Sequence, residues 1–246
     1  MSLQSLGIIG LGAFGRFMAK HLAPHFALTG YDPFLSDDLR QEFQGAWAKD
    51  LKDIAACDFI VIAVPVQKME ATLCDLAPLV RPGTLVLDVG SVKIKPAELM
   101  QQYLPDNVDL VGTHPLFGPQ SGKNGIAGLN MVVANIRGSR GACVAAFLRD
   151  TLQLKVHEVT PTDHDRELAY VQGLTHLLGK VIVAMDLPEF RLTTRTYDYL
   201  QQMVDMIRYD SDELFKAIER ENPFSAEAKK SFFTAARNLE ERLMKD

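Results

Sequence analysis

The segment Gly10-Leu11-Gly12-Ala13-Phe14-Gly15 constrains the fold more than any other part of this chain. It follows an apolar run, Leu6 to Gly10, and opens a helical pattern from Ala13 to Leu22. The next apolar run, Ala27 to Tyr31, is followed directly by Asp32. Strand, glycine turn, helix, strand and acid, in that order, make a βαβ unit whose first turn approaches a pyrophosphate. Gly10 serves the tight turn, Gly12 lets the backbone come close to the phosphates, and Gly15 lets the helix pack on the strand. The helix N-terminus faces the anion. Asp32 is placed to accept from the adenosine ribose. A carboxylate there repels a 2′-phosphate, and the residue after it is Pro33 rather than a phosphate-binding arginine. NAD is therefore the expected cofactor, with NADP disfavoured.

The remainder of the first half continues the alternation. Apolar runs Phe59 to Val64, Thr84 to Val89 and Val108 to Gly112 read as strands, with a weaker one near Trp47. Helical spacing separates them over Val66 to Leu79 and Lys95 to Tyr103. Two more strands, Asn130 to Ala134 and Lys155 to Val159, flank a helix from Arg140 to Leu152. Alternation of this kind predicts a Rossmann-type, doubly wound, mostly parallel sheet over residues 1–159. From residue 160 the strands stop. Thr160-Pro161-Thr162-Asp163 offers N-cap chemistry, and helical patterns run over His164 to Met185, Thr193 to Ile207, Ser211 to Glu221 and Ser225 to Lys245. Residues 160–246 thus read as an all-α domain. It is thin as an independent core, which points to packing on the sheet domain and to a dimer.

Composition excludes several classes. The net charge of −5 gives no general attraction to nucleic acid or anionic lipid. An anionic substrate then requires local positive groups. Three cysteines, widely spaced, form neither a metal-ligand pattern nor a disulfide framework, which fits a reducing cytoplasm. The first fifteen residues lack a basic leader, and the longest apolar run is far shorter than the ~20 residues a bilayer requires.

Chemistry concentrates at the carboxyl ends of the predicted strands. Val64-Pro65 and Ser91, the latter in Asp88-Val-Gly-Ser-Val-Lys93, fall just beyond two of them and are expected to line the nicotinamide side. Ser91 also reads as a helix cap, and Lys93 as a solvated helix-start residue. His114, in Thr113-His-Pro-Leu-Phe-Gly-Pro119, falls just past the sixth strand. An imidazole there can take a proton while a neighbouring hydroxyl such as Ser91 orients the substrate oxygen. The polar loop Gly118 to Gly128 carries Ser121, expected to contact substrate, and Lys123, either a source of positive charge there or a bystander. His176, in an otherwise apolar helix, is read as a ligand contact. His164, between Asp163 and Asp165, is read as capping rather than metal-binding, and His21, His25 and His157 as structural.

Taken together, Gly10 to Gly15, Asp88 to Lys93, Thr113 to Gly125 and Gln172-Gly-Leu-Thr-His176 resemble the prephenate and arogenate dehydrogenases of tyrosine biosynthesis. With Asp210-Ser-Asp-Glu-Leu-Phe215, the likeness is to the branch containing the plant arogenate dehydrogenases. That branch is commonly NADP-dependent, and Asp32 departs from it. The resemblance implies oxidative decarboxylation of a small anionic cyclohexadienyl substrate by a homodimer, without metal. His114 would be the base, Ser91 would position the hydroxyl, and Gln172 and His176 would contact substrate. Arg195 is a candidate for gripping the substrate carboxylate, with Arg191, Arg208 and Lys123 as alternatives. A β-hydroxyacid dehydrogenase or related reductase shares the expected fold and places a lysine on the first long helix, where Lys180 stands. A nucleotide-sensing module that has lost catalysis is the non-enzymatic alternative.

Overall fold

Buried strands form where the apolar runs are, and the computed structural model, which describes residues 3–245, joins them into an eight-stranded sheet in the order β3-β2-β1-β4-β5-β6-β7-β8. The strands are β1 (Ser5–Ile9), β2 (Ala27–Tyr31), β3 (Ala46–Trp47), β4 (Phe59–Ile62), β5 (Leu85–Asp88), β6 (Asp109–Pro115), β7 (Asn130–Arg137) and β8 (Lys155–Glu158). All pairings are parallel except β6 with β7. Strand order reverses direction between β1 and β4. That reversal opens a crevice at the carboxyl ends, where parallel sheets of this kind bind ligands.

Both faces of the sheet are covered, which is why its strands read as unbroken apolar runs. On one face Ile9, Ile60, Ile62, Val86 and Leu110 pack with Met69 and Leu73 of α4 (Val66–Leu76) and Met100 of α5 (Ile94–Tyr103). On the other, Leu6, Ile8 and Val61 meet Ala19 and Leu22 of α1 (Ala13–Leu22). Farther along that face, Leu85, Val111 and Met131 meet Ala145 of α6 (Gly141–Ala146) and Leu148. The side chains of Phe59 and Val61 line a largely apolar cavity of about 380 Å³ on this α1 and α6 side, together with Thr113 and Pro115. Alternation along β6 turns His114 to the opposite face from Thr113 and Pro115. Short helices α2 (Asp37–Arg40) and α3 (Leu51–Ala55) were not anticipated.

The chain divides into two compact units, residues 1–164 and 165–246, and the division falls inside α7 (Pro161–Leu168). Thr160 caps that helix, with its hydroxyl donating to Asp163 at 2.7 Å and accepting from the Asp163 amide at 3.1 Å. The second unit contains α8 (Leu174–Ala184), α9 (Arg195–Ile207), α10 (Asp212–Lys216) and α11 (Ser225–Leu243). The predicted helix His164 to Met185 is interrupted by a π-helical turn at Ala169–Gly173, and two others end in one, at Phe147–Thr151 and Ala217–Glu221. Such turns insert one residue into the helical ladder without changing its apolar pattern much, so a pattern alone does not reveal them. Within the second unit, Asn222 donates to the Asp165 carbonyl at 2.7 Å and Ser225 to the Ile218 carbonyl at 2.8 Å.

Candidate active site

The glycine turn after β1 is built as a cradle. Gly10 has φ +95°, and a Cβ there would lie 2.6 Å from the Ala63 carbonyl oxygen. No other residue type fits that backbone without strain. A Cβ on Gly15 would lie 2.2 Å from the Gly10 carbonyl oxygen, so α1 is seated directly on the turn. Gly12, by contrast, faces open space, with nothing within 4 Å of an added Cβ. It is the N-cap of α1, no side chain caps the helix, and no acidic residue lies in its first turn. Ala13 and Phe14 begin the helix. Uncapped amides and the helix dipole together favour an anion at this point.

Asp32 closes the cradle on its far side. One carboxylate oxygen accepts from the Leu11 amide at 2.8 Å and the other from the Phe34 amide at 3.0 Å. Each oxygen keeps lone-pair capacity for a ribose hydroxyl. Arg40, from α2, donates to the Asp32 carbonyl at 3.2 Å and lies 4.9 Å from the Trp47 ring centroid. The residues present fit a dinucleotide: close backbone approach at the phosphates, a carboxylate at the ribose, and Val64-Pro65 at the adjacent strand end. Val64 is half-buried and Pro65, exposed, is the N-cap of α4.

Register carries this line of residues across the sheet. Ile9 is level with Ile62, Ile62 with Asp88, and Asp88 with Gly112. The segments that follow, Gly10 to Gly15, Val64-Pro65, Gly90-Ser91 and Thr113-His114, therefore emerge at one edge in strand order. His114 lies inside β6, two residues past the Gly112 end that the sequence pattern predicts, because β6 runs on to pair with β7 (His114 with Val132). The ring is 5% exposed. Its Nδ1 is 2.8 Å from Nε2 of His164, itself 2% exposed, with the two rings tilted edge to face.

Three expectations are corrected here. Lys93 is not solvated: it is 1% exposed, with its ammonium ion-paired to buried Asp88 and donating to the Thr113 carbonyl at 2.7 Å. The Thr113 hydroxyl in turn donates to the Asp88 carbonyl at 2.6 Å. Ser91 is half-buried and does not cap α5, whose N-cap is Lys93 without any side-chain bond. His164 does not cap α7, since Thr160 does so; the histidine turns inward to His114. Helical periodicity holds the missed signal, because His164 shares a stripe with buried Leu168 one turn later. For Lys93, an acid at a strand end five residues before a lysine was the available clue.

Ser121 is used within its own loop, accepting from the Gly118 amide at 2.9 Å, and Lys123 is exposed. In the second unit the buried His176 has both ring nitrogens engaged, Nδ1 at 2.9 Å from the Gln172 carbonyl and Nε2 at 3.0 Å from Asp210 Oδ2. Asp210 lies 34 residues from His176, and no sequence spacing pairs the two. Lys180 donates to the Asp210 carbonyl at 3.3 Å. Arg195 is exposed and bonds the Tyr199 hydroxyl at 2.9 Å; Arg191 is exposed, and Arg208 pairs with Asp205 at 3.6 Å. No group of metal-ligating side chains occurs among the described residues, nor any helix long and apolar enough to cross a membrane.

Residues 18–130 match the family model for the nucleotide-binding domain of prephenate dehydrogenase. Two curated relatives are arogenate dehydrogenases from Arabidopsis thaliana, both chloroplastic. Arogenate dehydrogenase 1 is 28% identical over 98% of this chain and 39% of its own length. Arogenate dehydrogenase 2 is 29% identical over 92% of this chain and 66% of its own. The chain thus spans well under the whole length of either. Among solved structures, prephenate dehydrogenase from A. aeolicus, in complex with hydroxyphenyl propionate and NAD+, matches with TM-score 0.77 and 17% identity, covering 100% of this chain and 92% of that one. That likeness is one of fold.

Proposed function

We propose that the chain belongs to the prephenate and arogenate dehydrogenase family, a reading that its matches support, and that it catalyses the NAD-dependent oxidative decarboxylation of prephenate or arogenate. The observation that carries the reading is the alignment of the glycine cradle and His114 along one carboxyl edge of the sheet, with Ser91 between them. A dinucleotide held by Gly10, Gly12, Ala13 and Asp32 supplies a hydride acceptor. The protein's own part is to hold the ring hydroxyl and take its proton. Ser91 orients that hydroxyl, and His114 accepts the proton on Nε2, since Nδ1 is committed to His164. Loss of carbon dioxide then follows from the aromaticity gained, and no metal or lysine Schiff base is needed.

His176, held between Gln172 and Asp210, is assigned to substrate binding, and Arg195 or Lys123 to the substrate carboxylate. Asp32 disfavours a 2′-phosphate, which supports NAD over NADP. Arg40 lies at the same strand end, but its guanidinium is already bonded to the carbonyls of Asp32 and Leu35 and lies over Trp47. We assign the enzyme to a reducing compartment such as the cytoplasm, on its cysteine usage.

Reduced-nicotinamide absorbance followed with prephenate and with arogenate, each with NAD and NADP, tests the reading. Turnover of one substrate, faster with NAD, is expected. His114→Asn should lower kcat by about 10²–10⁴-fold while leaving cofactor affinity in place. Absence of reduction with both substrates sinks the proposal, and loss of turnover in Lys180→Ala with His114→Asn intact would transfer the chemistry to the lysine.

A further inference from the structure

We propose that His164 is a positioning residue that sets the tautomer of His114 and shares the proton His114 takes up. The inference rests on the catalytic reading of His114 above. Its basis is the 2.8 Å separation of His114 Nδ1 from His164 Nε2 between two buried rings. At that distance two lone pairs repel and two N–H groups collide, so a single proton lies between the nitrogens. The two rings cannot choose their tautomers independently.

If His164 Nε2 accepts, His114 carries its proton on Nδ1 and offers a lone pair at Nε2, the form in which it acts as a base. If His164 Nε2 donates, a neutral His114 must hold its proton on Nε2, the form left after proton transfer. The tautomer of His164 therefore decides whether His114 starts as base or as acid. The substrate O–H bond breaks, its electron pair stays on oxygen, and an N–H bond forms at Nε2 of His114. The proton already on Nδ1 then sits in a charge-assisted bond to His164 Nε2, or crosses it, so the positive charge spreads over both rings. The pair gains one proton in total, and the substrate loses one.

The surroundings hold both members in place. Lys93 donates to the carbonyl of Thr113, the residue before His114, and the Thr113 hydroxyl ties β6 to Asp88. Asp88 also interacts electrostatically with His164. Asp88 and Lys93 are the charged groups that β5 and the turn before α5 bring to the pair, and they neutralise each other. On the His164 side, the Thr160 to Asp163 cap fixes the first turn of α7, and the His164 amide donates to the Thr160 carbonyl at 3.0 Å. Neither imidazole has to be ordered at the moment of reaction.

The test pairs a spectroscopic with a kinetic measurement on the full chain. In ring-¹⁵N-histidine NMR, the wild type should show one strongly deshielded imidazole N–H proton. That signal should vanish in both His164→Phe and His114→Phe, and His114 in His164→Phe should lose its fixed tautomer. In steady state, His164→Phe should lower kcat by ~10²-fold with little change in KM for the dinucleotide, and His164→Gln, whose amide oxygen can accept the Nδ1 proton, should recover ~10-fold of it. Unchanged melting temperatures separate this from misfolding. The proposal is overturned if His114 keeps the same ring tautomer without His164, or if His164→Phe turns over at the wild-type rate. Should the wild type act on neither substrate, the functional reading fails while the NMR comparison still decides the coupling.

Discussion

At the scale of single residues, the costliest feature of the first unit is the Asp88–Lys93 pair. Both side chains are almost wholly buried, at 2% and 1% exposure, and Asp88 Oδ1 has no hydrogen-bond partner among the described residues. Burial pushes the Asp88 carboxyl above the ordinary range, and the Lys93 ammonium pulls against it. Desolvating two ions in this way rarely adds net stability, but removing one partner strands the other. Asp88→Asn or Lys93→Met alone should therefore cost about 3–5 kcal/mol in urea unfolding, and the double variant should regain most of it. Additive losses would show that the charges do not interact. The same pair shows where residue-level inference from sequence stops. Gly10, Gly15 and Asp32 announce their roles because their backbone geometry is local, and the turn they form is written within a few residues. Lys93 and His164 acquire theirs from Thr113 and His114, which lie 20 and 50 residues away. A lysine beside a helix start and a histidine between two aspartates look solvated until the sheet brings β5, β6 and α7 together.

Among elements, strands were legible because apolar β-rich runs are short, bounded by turn residues and buried on both faces. The β2 and α1 limits agree with the sequence pattern to the residue. Helix interruptions were not legible, since the π-helical turns keep a continuous apolar face. The short α2 buries no residue, and α3, which buries Ile54 and Ala55, is only five residues long, too short for a periodic signature. Strand ends are also pinned by polar contacts that a hydrophobic pattern omits. At the start of β1, the Ser5 amide and hydroxyl donate to Asp58 at 3.0 and 2.7 Å, joining it to the start of β4. Those bonds hold the Asp58 carboxyl below its ordinary value. A depressed folded-state value means the stabilisation is present above the unfolded value of ~3.9 and is lost as pH falls through the lower folded one. Asp58 is exposed, so the effect is small. Asp58→Ala should melt below wild type at pH 7, and the gap should close as pH drops below ~4. A gap that stays constant down to acid pH would assign the loss to packing instead.

For the whole molecule, the two units differ in how well each covers itself. The first buries three apolar clusters against its sheet. The second, residues 165–246, leaves large apolar side chains in solvent along its first helices and their connection: Val181 at 42%, Met185 at 59%, Phe190 at 49%, Leu192 at 83% and Tyr199 at 55% exposure. A helical unit of this size has a high ratio of surface to core, and large exposed apolar side chains in this number suit an interaction surface. A second copy of the chain is the partner we propose, because a two-fold contact lets one patch cover its own equivalent. Light scattering at micromolar concentration should then give about twice the 27.3 kDa chain mass. Phe190→Asp with Leu192→Asp should shift the population toward the single chain, since burying two carboxylates in an apolar contact is unfavourable. The Asp88–Lys93 pair and the glycine cradle belong to the first unit, so dinucleotide binding by the double variant should persist even where the dimer is lost. A wild-type mass of a single chain across the concentration range would remove the dimer and leave that apolar surface to another partner.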